Sequence, residues 1–181
     1  MDISNKEKHN CIAEGILIAL RRITREDTPL IVKWRNNPRV RANFVYREEF
    51  TEESHEAWLR DCVDTGKVAQ YIILEKQQDM RPVGSVYFRD IDREAHSAEY
   101  GIFIGEDDAV GLGYGSETAK EAVRIASEEL GLKKLGLRVF TDNEAAIKSY
   151  LSAGFLRIKT LEGVTCSDGE IKDMIWMEKE L

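Results

Sequence analysis

Three glycines at alternate positions, Gly111-Leu112-Gly113-Tyr114-Gly115, run straight into Ser116. They are the residues of this chain best suited to hold an anion. Glycine lets the backbone turn its N–H groups outward, and a helix beginning beside them adds unpaired donors and the positive end of its dipole. Phosphate is the natural guest of such a cradle. Two nucleotide motifs do not fit. No lysine directly follows the glycines, as GxxxxGK[ST] requires. The spacing is GxGxG rather than GxGxxG, and the residues before it do not read as the first strand of a βαβ unit. A second segment lies about thirty residues on: Asn143-Glu-Ala-Ala146-Ile-Lys-Ser-Tyr150-Leu-Ser-Ala-Gly154-Phe155. On a helix Ala146 and Tyr150 share a face, and Gly154 is a plausible stop. Taken alone this is a core helix with a buried tyrosine.

Those residues need elements to position them. Ile16 to Ile23 reads as a strand. Thr24 and Pro29 open a helix carrying Leu30, Ile31 and Trp34, which ends before Asn37-Pro38. A helix capped by Thr51 follows, running to about Asp64. Val68 to Glu75, Val83 to Arg89 and Ser97 to Ile104 are strand-like, with connections short enough for antiparallel neighbours. A helix from about Ser116 to Glu129, a strand from Leu135 to Phe140 and a helix from Asn143 to Ala153 come next. Phe155 to Leu161 and Ile171 to Glu178 complete the set, with Gly163 to Gly169 as the final turn. This predicts an α+β fold.

The chain has 181 residues, 43% hydrophobic and 33% charged, which suits one folded domain over 1–181 with a loose lead-in at 1–14. A net charge of −7 argues against a general nucleic-acid binder and against charge-driven docking on anionic lipid. Cys11, Cys62 and Cys166 show no zinc spacing and no paired pattern, so reduced thiols in a cytoplasmic protein are expected. The first residues lack a signal peptide's apolar stretch, and no metal site or membrane span is expected.

Taken together, the two motifs resemble those of the GNAT superfamily of acetyl-CoA-dependent N-acetyltransferases. The family's loop pattern Q/R-x-x-G-x-G/A is matched by Val110-Gly-Leu-Gly113-Tyr-Gly115, with Val110 in place of Gln or Arg. Its helix pattern N-x-x-A-x-x-x-Y-x-x-x-G-F is matched from Asn143 to Phe155. The resemblance covers nearly the whole chain. It implies a mixed, mostly antiparallel sheet of six to seven strands flanked by about four helices, and it is compatible with a homodimer. It also implies acetyl-CoA as cosubstrate. Main-chain groups of Glu99 to Ile104 would pair with the pantetheine arm, and those around Ile102 and Phe103 would hold the thioester carbonyl. The amides of Gly111, Leu112, Gly113, Tyr114, Gly115 and Ser116 would cradle the pyrophosphate, with Asn143 near the pantetheine. Glu106, Asp107 and Asp108 must then point to solvent, because like charge would weaken phosphate binding.

Amide formation from an amine and a thioester needs a base and an acid. Tyr150, with an ordinary pKa of about 10, can protonate the leaving sulfur, the role the family pattern implies. Glu99 is the first candidate base and His96 the competitor. On a regular strand Ser97, Glu99 and Gly101 share a face while His96 points away, unless a bulge intervenes.

The acceptor amine is expected to meet the first two helices and their connection. Arg21 to Arg47 holds eight basic and two acidic residues, a local excess of +6. It could form a basic wall for an anionic substrate. Trp34-Arg35-Asn36, Pro38, His55 and Trp58 are similar to acetyltransferases of nucleotide-linked amino sugars, in which Arg35 and His55 would meet the diphosphate. Ribosomal-protein N-terminal and polyamine acetyltransferases are alternatives. For a polyamine, Glu52, Glu53, Glu56 and Asp61 could form an acidic site. Outside the enzyme class stands a non-catalytic acetyl-CoA-binding module.

Overall fold

A computed structural model describes residues 11–181. Its eight-stranded sheet has the order β1-β2-β3-β4-β5-β6-β8-β7. The strands are β1 Cys11–Glu14, β2 Ile18–Arg22, β3 Ala69–Glu75, β4 Arg81–Asp92, β5 Ser97–Ile104, β6 Lys134–Phe140, β7 Leu156–Thr165 and β8 Ile171–Glu180. Every neighbouring pair is antiparallel except β5 and β6. The helices are α1 Thr28–Asn36, α2 Pro38–Arg41, α3 Glu52–Trp58, α4 Tyr114–Glu128 and α5 Glu144–Ser152. The α+β class and the mixed sheet are as expected, with one more strand and one more helix than anticipated.

The extra strand is β1. Its four residues are too few for a periodicity signal, and its partner is β2 across the turn at Gly15. Glu117 of α4 holds that turn by accepting from the backbone N–H groups of Ile16, Leu17 and Ile18 at 2.8, 2.7 and 2.9 Å. Residues 11–14 are therefore strand rather than loose lead-in; the rest of that lead-in, 1–10, lies outside the described residues. The final turn is also shorter than Gly163 to Gly169, because β7 continues through a register shift as far as Thr165.

β3 is buried along its whole length, since helices cover both faces of the sheet. Tyr71 and Ile73 face the side where Ala119, Ala122, Ile125 and Ala126 of α4 pack. Ile72 and Leu74 face the other side, against Ile31 and Trp34 of α1. That alternation explains why the strand reads as a continuous apolar run.

β5 and β6 pair only at Ser97 with Lys134, Ala98 with Leu135 and Glu99 with Gly136. Beyond Glu99 they part. β5 stays on β4 as far as Ile104, while β6 stays on β8 as far as Phe140. The fork this opens lies in the middle of the sheet.

Candidate active site

A cleft of about 990 Å³ runs from the fork to the region of α1, α2 and α3. One wall is the stretch of β5 from Glu99 to Ile104, the strand along which the family resemblance implies an extended ligand. From Tyr100 onward its backbone has no ladder partner on the β6 side. Ile102, Phe103 and Ile104 all line the cleft.

The glycine loop closes one end. Gly111 and Gly113 have φ of +78° and +86°, the left-handed region that side chains other than glycine seldom adopt. A Cβ at Gly111 would meet nothing within 4 Å, so its conformation rather than crowding calls for glycine. Gly113 is the N-cap of α4, and Gly113, Gly115 and Ser116 line the cleft. Leu112 and Tyr114 do not line it. Leu112 is half exposed, and Tyr114 is buried with its hydroxyl donating to Glu75 at 3.0 Å. Both can offer only main-chain groups. Val110 lines the cleft beside Gly111.

The three acids before the loop are paired rather than simply solvated. Glu106 accepts from Lys33 at 2.6 Å and from the Trp34 indole at 2.7 Å. Asp107 accepts from Arg39 at 2.7 Å and from Asn37 at 2.9 Å. Asp108 meets Arg81 at 3.1 Å. Burial works to raise the Glu106 pKa, but Lys33 and Trp34 outweigh it and hold the carboxyl below its ordinary value.

Tyr150 projects from α5 into a cluster with Tyr100 and Phe155, its ring edge-on to Tyr100 with centroids 5.9 Å apart. Burial pushes its pKa well above the usual phenol range, with Tyr87 adding to the effect. Asn143 caps α5 by accepting from Ala146 N–H and donates to Asn43 at 2.9 Å. Both asparagines line the cleft.

Glu99 also lines the cleft, and no other carboxylate does so among the described residues. It accepts from Arg89 at 2.5 Å and from Arg138 at 3.0 and 3.2 Å, so three adjacent strands meet at the fork's apex. His96 does not reach the cleft. It sits exposed at φ +51° with its ring against the Gly131 carbonyl at 3.1 Å. The bulge that matters is in β4, at Asp90, whose φ is +52°. It shifts the register so that Arg89 lies opposite Glu99 and Tyr87 opposite Gly101. A Cβ at Gly101 would fall 2.2 Å from the Tyr87 ring, so that glycine lets Tyr87 lie across β5. Tyr87, Arg89 and Arg138 carry no motif, and the sequence reading passed over them. Strand parity alone could have placed them, and the bulge spoils the count.

At the end of the cleft toward α1 and α3, the Arg35 guanidinium carbon lies over Phe44, 3.4 Å from the ring centroid, with Phe50 at 5.2 Å. Burial lowers its pKa to about 10, so it stays charged at neutral pH. His55 is 1% exposed. Its Nδ1 is 2.9 Å from Thr28 Oγ1, and its Nε2 is buried without a partner among the described residues. Burial lowers its pKa to about 4, which makes it a neutral hydrogen-bonding group rather than the cationic partner of a diphosphate.

The basic wall does not survive folding. Six of the eight basic residues meet carboxylates: Arg21 Asp27, Arg22 Glu129, Arg25 Asp64, Lys33 Glu106, Arg39 Asp107, and Arg47 both Asp168 and Glu170. Arg35 has no carboxylate within ion-pair distance among the described residues.

Comparison with known proteins follows the same lines. The acetyltransferase (GNAT) domain family matches residues 18–156. The chain is 30% identical over 154 residues to the uncharacterized protein MJ1062 of Methanocaldococcus jannaschii, covering 83% of this chain and 31% of that one. It thus spans about a third of that relative's length. It is 27% identical over 125 residues to the acetyltransferase PseH of Campylobacter jejuni, covering 69% of this chain and 74% of that one. Among solved structures, spermidine N-acetyltransferase from Vibrio cholerae, in complex with CoA and spermine, superposes with a TM-score of 0.82 at 21% identity. That match covers 92% of this chain and 96% of the other, and it is a likeness of fold.

Proposed function

The chain belongs to the acetyltransferase (GNAT) family, and from that premise we propose that it acetylates the primary amine of an anionic acceptor, best matched by a nucleotide-linked amino sugar. The acyl donor in this reading is acetyl-CoA. The forked sheet and the glycine loop fit that donor: one offers unpaired strand backbone, the other outward amides at a helix N-terminus. Bound there, acetyl-CoA supplies an acyl group already activated toward an amine.

The chain's own residues do the rest. Backbone of Gly101 to Ile104 binds and orients an extended arm. The amides from Gly111 to Ser116 hold phosphate oxygens, and Asn143 steadies the arm from α5. Tyr150 holds a proton on its hydroxyl oxygen throughout the working pH range, ready for a leaving thiolate. Glu99 takes the amine's proton. Its oxygens already accept from Arg89 and Arg138, so the transfer runs through water.

The observation that carries the acceptor class is Arg35. It is a charged guanidinium on the cleft wall, seated on Phe44, without a carboxylate partner among the described residues. Arg39 is paired with Asp107, and Arg89 and Arg138 share Glu99, which still leaves the cleft wall an excess of positive charge that favours an anion and repels a polycation. A second reading, a polyamine acceptor, draws on the architecture shared with the Vibrio cholerae spermidine enzyme. Against it, Glu52, Glu53, Glu56 and Asp61 are exposed and none lines the cleft.

The test is thiol release from acetyl-CoA with amino-sugar nucleotides, spermidine and N-terminal peptides. Turnover of an amino-sugar nucleotide is expected, with Arg35→Gln raising its KM about tenfold and leaving kcat nearly unchanged. Turnover of spermidine with the sugar nucleotides inert overturns the acceptor assignment. No release with any amine, despite CoA binding, would favour a binding module.

A further inference from the structure

Both ends of the glycine loop are tied to one buried carboxylate. Glu75 is the last residue of β3 and is 0% exposed. Across the hairpin it pairs with Arg81, whose guanidinium it binds. Arg81 also reaches Asp108, with both terminal nitrogens at 3.1 Å from its carboxylate oxygens. Asp108 stands just before the loop. Where the loop enters α4 stands Tyr114, the first residue of the helix, and its hydroxyl donates to the other oxygen of Glu75 at 3.0 Å.

Besides those anchors, the backbone turn from Glu106 to Val110 and the bond from Glu117 N–H to the Gly113 carbonyl flank the loop, while its tip from Val110 to Leu112 stays exposed. Val110 and Leu112 are 47% and 51% exposed, and a Cβ at Gly111 would meet no described residue within 4 Å. Backbone amides bind an anion well only when they are already aimed at it, because the entropy of aiming them is otherwise subtracted from affinity. The glycines of the motif permit that aim, and contacts outside the motif are needed to hold it.

We propose that Glu75 is a positioning residue for the phosphate cradle: through Arg81 and Tyr114 it sets the two ends of the glycine loop so that the amides around Gly113 to Ser116 face the cleft. This deepens the acetyl-CoA reading and rests on it. Glu75 touches no reacting atom. Its influence passes through the loop to the donor's pyrophosphate and not to the thioester.

That separation gives the test. S-acetylpantetheine carries the same thioester without the pyrophosphate. Tyr114→Phe keeps the ring in the core and removes only the bond to Glu75. It should raise the KM for acetyl-CoA about tenfold while kcat at saturation is retained, and leave kcat/KM for S-acetylpantetheine unchanged. Glu75→Gln should act in the same direction. Because burial puts its folding at risk, Asp108→Asn at the exposed end provides an independent variant, expected to give a smaller rise with acetyl-CoA alone. Equal losses with both donors would reduce the network to a fold-stabilising role and overturn the proposal. So would a Tyr114→Phe protein that binds CoA as tightly as the wild type in calorimetry. A wild-type chain that binds no CoA overturns the acetyl-CoA reading itself, a result distinct from either.

Discussion

Tyr150 and His55 show how burial sets the chemistry of single residues. Removing either side chain from water disfavours its charged form, which raises the pKa of a phenol and lowers that of an imidazole. Tyr150 therefore keeps its proton at neutral pH. Tyr150→Phe should lower kcat about a hundredfold or more with little change in the KM for acetyl-CoA. Unchanged turnover of the true acceptor would remove it from the proton path. For His55 the consequence is in stability. Its folded pKa of about 4 lies below the ordinary 6.5, so between those values the unfolded chain binds a proton that the folded one refuses. The contribution is complete above about pH 6.5 and is lost as pH falls toward 4, by up to about 3 kcal/mol. Denaturant midpoints measured from pH 4 to 7 should fall with acidity, and less steeply in His55→Gln. Equal slopes in the two proteins would show that other groups drive the loss. Neither shift is legible in the sequence. A tyrosine at helical spacing announces a core position, but its place beside a cleft depends on Tyr87 and Tyr100 arriving from two strands.

At the scale of elements, the fork between β5 and β6 and the bulge in β4 decide the site. β5 lies beside β4 through a short antiparallel connection that the sequence marks clearly. Its parallel contact with β6 joins strands about thirty-five residues apart and leaves no local trace. The bulge at Asp90 moves the pairing by one residue, which exchanges the faces of every residue beyond it. Without it Arg89 would stand opposite Tyr100 rather than Glu99, and Tyr87 would not meet Gly101. That close approach is testable. Gly101→Ala places a methyl group inside the Tyr87 ring and should cost about 1–3 kcal/mol of stability, the usual range for overpacking. Activity should fall further as Tyr87 is pushed off the cleft wall. Wild-type stability and turnover in this variant would mean that Tyr87 rotates away freely and does not shape the acceptor side.

For the molecule as a whole, charge is distributed differently in space than along the chain. The excess of +6 between Arg21 and Arg47 looks like a basic surface in sequence. In three dimensions its members meet acids from distant segments, such as Asp64, Glu106, Asp107, Glu129, Asp168 and Glu170, and Arg35 is left facing the cleft. Such exposed pairs add little stability individually, but together they remove the field that the sequence suggests. Among the described residues no helix is long and apolar enough to cross a membrane. The sequence by itself determined the α+β class, the glycine loop opening a helix and the Asn143-to-Phe155 helix, because periodicity, caps and glycine spacing are local properties of a chain. Only the tertiary structure decided that His55 is buried, that His96 lies away from the cleft, that Glu99 sits between two arginines and that Glu75 joins Arg81 to Tyr114. Burial, register and ion pairing are relations between segments far apart in the chain, and they exist only once the sheet has assembled.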